Sequence, residues 1–254
     1  MLAAEPPRTP WDLNFALFGI PVRVHPMFWL VAILLGMNSP TAVELSTWVV
    51  AVFLSILVHE LGHAVAARSY GYDPWITLYT MGGLTSFGTS AYRSRNAGSL
   101  GQILICLAGP AAGFALAAVL YFALRLAQID VELTLGWPHL VRIHVAELHR
   151  FAALSDFIRQ MFFANILWGL VNLLPVYPLD GGQIAREVLT KINPFEGERW
   201  SLVVSFTTAC LVALVAFVAL EDWQSRVFTA AFFAYLAYWS YALLSMGSGP
   251  GQWR

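Results

Sequence analysis

Long apolar segments separated by short polar ones occupy most of the chain. A membrane-spanning α-helix needs about 20 consecutive and mostly apolar residues. We predict five spans of roughly this length, at residues 47–67, 100–126, 157–174, 202–220 and 227–246. A sixth apolar segment, residues 26–37, is too short to cross a membrane alone, and we expect it to continue through the more polar NSPTAVELS sequence that follows. The pattern predicts an all-α polytopic membrane protein with about six transmembrane helices.

Two short segments have the pattern of β-strands instead. Residues 19–25 (GIPVRVH) alternate in polarity, and residues 74–88 carry β-branched and aromatic residues on both sides of Gly82 and Gly83. The second segment is typical of a β-hairpin, although an irregular loop at the membrane interface fits its composition equally well. No internal repeat, low-complexity run or long linker divides the chain, so we expect a single domain over residues 1–254.

Composition supports a membrane protein and excludes several other classes. Hydrophobic residues make up 58% of the chain and charged residues 11%, whereas soluble domains usually carry about 25% charged residues. The formal net charge of −1 gives no reason to expect a nucleic-acid partner. Cys106 and Cys210 lie alone in apolar runs, so neither a disulfide framework nor a cysteine-based zinc site is predicted. The first residues lack a basic segment followed by an apolar one, and we therefore expect no cleavable signal peptide.

The distribution of basic residues predicts the orientation of the spans. Cytosolic segments of membrane proteins carry an excess of Lys and Arg. If the N-terminus lies in the cytosol, the cytosolic segments hold nine of the 14 Lys and Arg residues and the outer segments hold five. We therefore predict a multi-pass protein of the cell membrane with both termini in the cytosol.

The predicted span at residues 47–67 contains the sequence HELGH, which places His59, Glu60 and His63 in an apolar helix. Residues four apart lie on one helix face, about 6 Å apart along the axis, so both histidines can bind one metal ion. Glu60 is rotated by about 100° from His59, which suits a general base beside the metal. This motif often marks only a solvated face in soluble helices. Here the flanks are apolar, and an ionisable group inside a span costs a few kcal/mol, which favours a functional metal site.

A catalytic zinc ion normally has three protein ligands and an open fourth position. A third histidine six residues after the second would fall on Ser69, which excludes the three-histidine pattern. Asp73 follows in a GYDP turn at the helix exit and is the weaker alternative, and no acidic residue lies between it and Asp130. Asp180, in the sequence NLLPVYPLDGG over residues 172–182, is the stronger candidate.

The surroundings of Asp180 are unusual for a charged residue. Pro175 and Pro178 end the preceding helix, and two glycines after Asp180 allow the backbone to turn back. We expect non-helical backbone here, which at membrane depth is tolerated only when it is buried in protein or lines a wet cavity. An ordinary interfacial loop with a solvated aspartate is the alternative. The predicted orientation brings the ends of the second and fourth spans to the cytosolic side, so Asp180 is expected at the depth of His59 and His63.

At this point the chain resembles the site-2 protease family of intramembrane zinc metalloproteases. The resemblance rests on HELGH (residues 59–63) and NLLPVYPLDGG (residues 172–182), with the GIPVRVHP, MGGL and LAGP sequences in the expected order. It implies one Zn²⁺ per chain with His59, His63 and Asp180 as ligands, Glu60 as the base, and Asn172 as a polar residue that steadies the substrate backbone or the developing oxyanion. The short strands are implied to form a membrane-embedded sheet. The sequence departs from many relatives at Gly113, where they carry Asn, and we expect no added PDZ or CBS domain within residues 1–254.

The activity implied by this resemblance is hydrolysis of peptide bonds in the transmembrane segment of a single-span substrate protein, near the cytosolic face of the bilayer. The substrate helix must unwind before its carbonyl groups become accessible. We expect the unwound segment to add as a strand to a sheet edge within residues 76–84. Two other functions use the same residues: a metal transporter, which would need acidic or histidine residues on several spans, and an inactive membrane scaffold, against which the intact Glu60 argues.

The remaining polar residues of the apolar regions are interpreted as structural. His139, His144 and His149 are spaced by five and do not share a helix face, so they are predicted to lie at the surface or interface. His25 beside Pro26 is interpreted as a strand or helix-start residue. Asn165 lies seven residues before Asn172, and we expect core packing or a hydrogen bond between helices rather than catalysis.

Overall fold

A computed structural model describes residues 5–80, 82–89, 97–129, 131–134, 142–145, 152–220 and 222–246. Within these residues the chain forms seven α-helices and six β-strands. The helices are α1 (Pro26–Gly36), α2 (Ala42–Ser69), α3 (Gly98–Leu126), α4 (Ala152–Asn172), α5 (Asp180–Ile192), α6 (Gly197–Ala219) and α7 (Trp223–Met246). The strands are β1 (Leu13–Leu17), β2 (Ile20–Val24), β3 (Tyr72–Tyr79), β4 (Gly82–Thr89), β5 (Val131–Thr134) and β6 (Arg142–Val145).

Four of the described helices are long and apolar enough to cross a membrane, and they are α2, α3, α6 and α7. The chain is therefore a membrane protein, but the prediction of about six spans is not confirmed. The prediction for residues 26–37 is wrong, because α1 ends at Gly36 and the Thr41 hydroxyl caps a new helix by accepting a hydrogen bond from the Glu44 amide at 3.2 Å. The span predicted over residues 157–174 corresponds to α4, which carries Asp156 and Arg159 near its start and lies outside the four.

The chain divides into two compact units. The first comprises Met1–Ala97 and Leu107–Leu170, and the second comprises Gly98–Cys106 and Val171–Arg254. Helices α3 and α4 each contribute residues to both units.

The first unit contains a four-stranded sheet in the order β1-β2-β3-β4. Strands β1 and β2 pair antiparallel, β2 and β3 pair parallel, and β3 and β4 pair antiparallel. The predicted hairpin over residues 74–88 is confirmed, as is the strand within residues 19–25, whereas β1 was not predicted. The two residues between β1 and β2, Phe18 and Gly19, both have positive φ (51° and 72°), as tight hairpin turns with the twist of the flanking strands require.

One core of the first unit lies between this sheet and the helices α1 and α2. Alternate residues of β2 are buried there, together with apolar residues of β3 and one face of each helix; the largest contributors are Ile20, Val22, Val24, Phe28, Leu57, Ile76 and Leu78. The sheet is therefore held against α2, the helix that carries the HELGH sequence.

The second unit packs α6 against α7 and holds the segment between α4 and α5. Its core contains Val176 of that segment and apolar residues of both helices. The Ser205 and Ser240 hydroxyls are 2.7 Å apart between α6 and α7. The Tyr177 amide donates a hydrogen bond to the Ser205 hydroxyl at 2.8 Å, which fixes the backbone three residues before Asp180.

Candidate metal centre and catalytic site

His59 and His63 face each other one turn apart on α2. Their Nε2 atoms are 3.1 Å apart, and both residues are buried, with 7% and 8% of their surface exposed. Two imidazole nitrogens bound to one tetrahedral zinc ion at about 2.0–2.1 Å would lie about 3.3 Å apart. The pair therefore has the donor chemistry and the spacing of two zinc ligands.

Helix α3 passes α2 closely at this pair, and two glycines make the approach possible. A Cβ atom added at Gly109 would lie 2.2 Å from Nε2 of His63 and 2.8 Å from Nε2 of His59. A Cβ atom added at Gly62 would lie 2.3 Å from the carbonyl oxygen of Ala108. All three distances are shorter than a van der Waals contact, so neither position accepts a side chain without movement. The backbone of α3 therefore approaches α2 closely at Gly62.

The side chain of Glu60 points from α2 towards β4 of the sheet, whereas His59 and His63 face α3. Glu60 is buried, with 6% of its surface exposed, and its Oε2 atom accepts a hydrogen bond from the Thr85 hydroxyl at 2.7 Å. The same hydroxyl lies 3.1 Å from the backbone oxygen of Glu60. A Cβ atom added at Gly83 would lie 2.3 Å from Cγ and 2.4 Å from Oε1 of Glu60.

Sequence reasoning did not identify Thr85. The available signal was its spacing from Gly83, because residues two apart in a strand project from the same face. Gly83 lies beside the Glu60 carboxylate, and Thr85, on the same face of β4, directs its hydroxyl to that carboxylate.

A second polar contact joins α2 and α4 one turn before His59. The Asn165 amide nitrogen donates to the Ser55 hydroxyl at 2.9 Å and to the Met161 carbonyl oxygen at 2.8 Å. The predicted hydrogen bond between helices is confirmed. A Cβ atom added at Gly113 would lie 3.4 Å from Oδ1 of Asn165, an ordinary contact, so the residue that departs from many relatives lies beside this amide.

The second unit holds Asp180 and Asn172, and both are buried, with 8% of the surface of each exposed. Asn172 is the last residue of α4. The expectation of non-helical backbone is confirmed for residues 173–179, which join α4 to α5, whereas Asp180 itself is the first residue of α5. The positive end of the helix dipole favours a carboxylate at this position.

The two glycines after Asp180 serve packing inside that unit. A Cβ atom at Gly181 would lie 2.2 Å from the carbonyl oxygen of Leu173, and one at Gly182 would lie 2.5 Å from the amide of Tyr177. The first turn of α5 is therefore pressed onto the backbone that precedes it, which leaves no room for side chains at either position.

His59 and His63 of the first unit and Asp180 of the second are all buried, and each offers one ligand atom to a metal ion. Two imidazoles and one carboxylate form a donor set that suits zinc. Asp73, the alternative third ligand, is exposed on β3 and belongs to no such set among the described residues.

The other histidines lie outside α2, and His25 belongs to no group of possible metal ligands among the described residues. His25 caps α1, with its Nδ1 atom accepting a hydrogen bond from the Met27 amide at 3.2 Å, which confirms its interpretation as a helix-start residue. His144 falls in β6, and His139 and His149 lie outside the described residues.

Comparison with known proteins connects this site to a family. The sequence profile of peptidase family M50 matches residues 47–215, a range that includes every candidate residue named above. The chain is 26% identical over 180 residues to a zinc metalloprotease of Methanocaldococcus jannaschii, covering 70% of this chain and 45% of that protein. It is 27% identical over 215 residues to stage IV sporulation protein FB of Bacillus subtilis, covering 82% of this chain and 63% of that protein.

A solved structure supports the same fold. The site-2 protease from Methanocaldococcus jannaschii superposes with a TM-score of 0.57 at 20% sequence identity, covering 92% of this chain and 95% of that chain. The chain thus spans 45% of the length of the M. jannaschii zinc metalloprotease and nearly all of the solved structure.

Proposed function

The chain belongs to peptidase family M50, and we propose that it is an intramembrane zinc metalloprotease that hydrolyses peptide bonds within transmembrane segments of other membrane proteins. The observation that carries the proposal is the buried histidine pair on α2, with Nε2 atoms 3.1 Å apart and a buried glutamate next to it in sequence. In a mostly apolar helix, such a set of ionisable residues marks a functional site rather than a structural one. We assign this activity to residues 1–254 acting as one protease domain.

The proposed zinc ligands are His59, His63 and Asp180, with one Zn²⁺ per chain. Each offers one ligand atom, and each is buried, as a tightly held structural or catalytic ion requires. When bound, zinc supplies a Lewis acid for the scissile carbonyl and makes the attacking water more acidic, with a pKa of about 7.

Glu60 is the proposed general base. Its carboxylate accepts the proton of the attacking water and then delivers that proton to the nitrogen of the leaving amine, so the residue ends the cycle in its original state. The described contacts of Oε2 already hold the carboxylate in one orientation. Asn172 is proposed to donate a hydrogen bond to the substrate backbone or to the negative charge that develops on the carbonyl oxygen.

The substrate is proposed to bind as an extended strand at the edge of the sheet, because a helical segment has no free carbonyl groups to present. Among the described strands of this sheet, β3 lies between β2 and β4, so residues 76–79 are not at an edge. Strand β4 is the edge available for strand addition near Glu60. Of the residues 76–84 expected from the sequence, residues 82–84 belong to this strand.

The proposed setting is the cell membrane, with both termini in the cytosol and cleavage near the cytosolic face. The proposed partners are the lipid bilayer and a substrate protein with a single transmembrane segment. The four apolar helices support the membrane setting. The proposed orientation rests on the nine-to-five excess of basic residues that follows from the six spans predicted by the sequence.

The test is zinc analysis of the purified full chain together with cleavage of a single-span substrate in reconstituted membranes. Glu60→Gln keeps the shape of the side chain but cannot accept a proton at neutral pH. We expect zinc content near that of the wild type and cleavage reduced by at least about 10²-fold. A wild-type protein that binds zinc without cleaving any span would favour metal transport, and retained cleavage by Glu60→Gln would refute the mechanism.

A further inference from the structure

We propose that Thr85 is a positioning residue for the general base, and that through it the strand to which the substrate adds also orients Glu60. This inference rests on the proposed function. It begins with the hydrogen bond from the Thr85 hydroxyl to Oε2 of Glu60, at 2.7 Å. A hydroxyl that donates to a carboxylate at this distance makes one of the stronger hydrogen bonds in proteins.

Both oxygen atoms of the carboxylate lie against β4, and one of them accepts a hydrogen bond from it. Oε2 accepts from Thr85, while Oε1 lies against Gly83, where an added Cβ would stand 2.4 Å away. Gly83 and Thr85 are two residues apart and project from the same face of the strand. The glycine leaves space for the carboxylate, and the threonine fixes its rotation within that space.

The Thr85 hydroxyl also contacts the backbone of α2, the helix that carries Glu60. The hydroxyl oxygen lies 3.1 Å from the carbonyl oxygen of Glu60, in addition to the side-chain contact. The single hydroxyl proton is thus shared between the carboxylate and the helix backbone. This arrangement ties β4 to α2 at the residue whose side chain must reach the attacking water.

The position of Thr85 in the sheet gives this contact a consequence for substrate binding. Strand β4 pairs with β3 through residues that include Thr85 and Ile76, and it forms the end of the four-strand order. A substrate segment that adds to β4 forms main-chain hydrogen bonds to the same strand whose side chain holds Glu60. Strand β4 then positions both the Glu60 carboxylate and the scissile peptide bond, which limits the variation in their relative position. A misplacement of about 1 Å in such a geometry can cost about 10²-fold in rate.

The discriminating substitution is Thr85→Val, which preserves the shape of the side chain and removes the hydroxyl. We expect kcat for a single-span substrate to fall by about 10- to 100-fold with KM changed less than about twofold, because the base is misplaced while the strand edge is intact. Thr85→Ser, which keeps the hydroxyl, should retain kcat within about threefold of the wild type. Zinc content should equal that of the wild type in both variants.

The chain offers a matched control in the neighbouring strand. Thr77 of β3 is buried, and its hydroxyl has no hydrogen-bond partner among the described residues. Thr77→Val therefore makes the same chemical change in the same sheet without touching Glu60, and kcat should stay at the wild-type value. If Thr85→Val does not fold, Thr85→Ala removes the same hydroxyl together with the γ-methyl group and carries the test.

A binding measurement separates positioning of the base from holding of the substrate. In the inactive Glu60→Gln background, adding Thr85→Val should leave the Kd of a labelled substrate in vesicles unchanged within about twofold, since the strand edge is intact. A Kd raised more than about fivefold would make Thr85 a substrate-binding residue and overturn the proposal.

Two other outcomes would also overturn the proposal: Thr85→Val with unchanged kcat, or Thr85→Ser as impaired as Thr85→Val. Failure of the proposed function itself is distinguishable, because then the wild type would not cleave or Glu60→Gln would still cleave. A wild type that cleaves, an inactive Glu60→Gln and a fully active Thr85→Val would refute the role of Thr85 alone.

Discussion

Nε2 of His63 lies 2.2 Å from the point that a Cβ atom would occupy at Gly109, although the two residues belong to different helices. No real side chain tolerates that distance, so the orientation of a proposed zinc ligand depends on the absence of a single carbon atom on α3. The same imaginary atom would lie 2.8 Å from Nε2 of His59. The geometry of the histidine pair therefore depends on the close packing of α3 on α2.

Gly109→Ala should reduce zinc affinity by about 10- to 100-fold, the range for changes that disturb the orientation of metal ligands. The added methyl group must either turn the imidazoles or push α3 away. Zinc content after dialysis against a graded chelator measures this effect. Gly113→Ala is the matched control one turn along the same helix, because its Cβ would meet Oδ1 of Asn165 at an ordinary 3.4 Å. Equal zinc affinity in the two variants would contradict the prediction.

Asp180→Ala should lose most of its zinc and all measurable cleavage, because two imidazoles alone do not hold a catalytic zinc ion. Asp73→Ala removes the exposed aspartate that was the alternative third ligand, and it should keep both zinc and activity. Metal analysis of the two purified variants decides between them. Full zinc content in Asp180→Ala combined with loss in Asp73→Ala would reverse the assignment.

The hydrogen bond between Asn165 and Ser55 should contribute about 0.6–2 kcal/mol to the coupling of α4 with α2, the range measured for polar contacts between transmembrane helices. The free energy of unfolding in detergent, measured for Asn165→Leu, Ser55→Ala and the double variant, isolates that coupling. Zinc content reports separately on the histidines one turn away. Strictly additive effects of the two substitutions would show that the 2.9 Å contact contributes nothing.

Substrate cleavage should depend on the helix stability of the substrate segment near the cytosolic face. Gly or Pro lowers helix stability by about 1 or 3 kcal/mol relative to Ala. Either residue in the cytosolic half of a model span should speed cleavage, and a Leu/Ala-rich replacement there should slow it. Cleavage rates of matched substrates in vesicles provide the measurement. A larger effect from the outer half would contradict the N-terminus-in orientation, and no effect from either half would contradict the unwinding step.

Local patterns in the sequence were sufficient for part of the site and part of the fold. The four-residue spacing of His59 and His63 predicts a shared helix face wherever the helix lies, because it depends only on helix geometry. The hairpin around Gly82 and Gly83 follows from strand propensity and the conformational freedom of glycine, which are equally local. The apolar composition predicts a membrane protein for the same reason: burial in lipid depends on the side chains of each segment and not on their partners.

The features that depend on packing between distant segments required the tertiary structure. The break between α1 and α2 was predicted incorrectly, and the start of α5 at Asp180 was not predicted, since caps and close backbone packing override the average polarity of a segment. The spacing of Gly83 and Thr85 places both on one face of a strand, but it does not indicate that this face meets Glu60, because Thr85 and Glu60 are 25 positions apart and meet only when the sheet packs on α2. Helix periodicity thus determines which residues share a face, whereas the contacts that orient their side chains exist only in the packed fold.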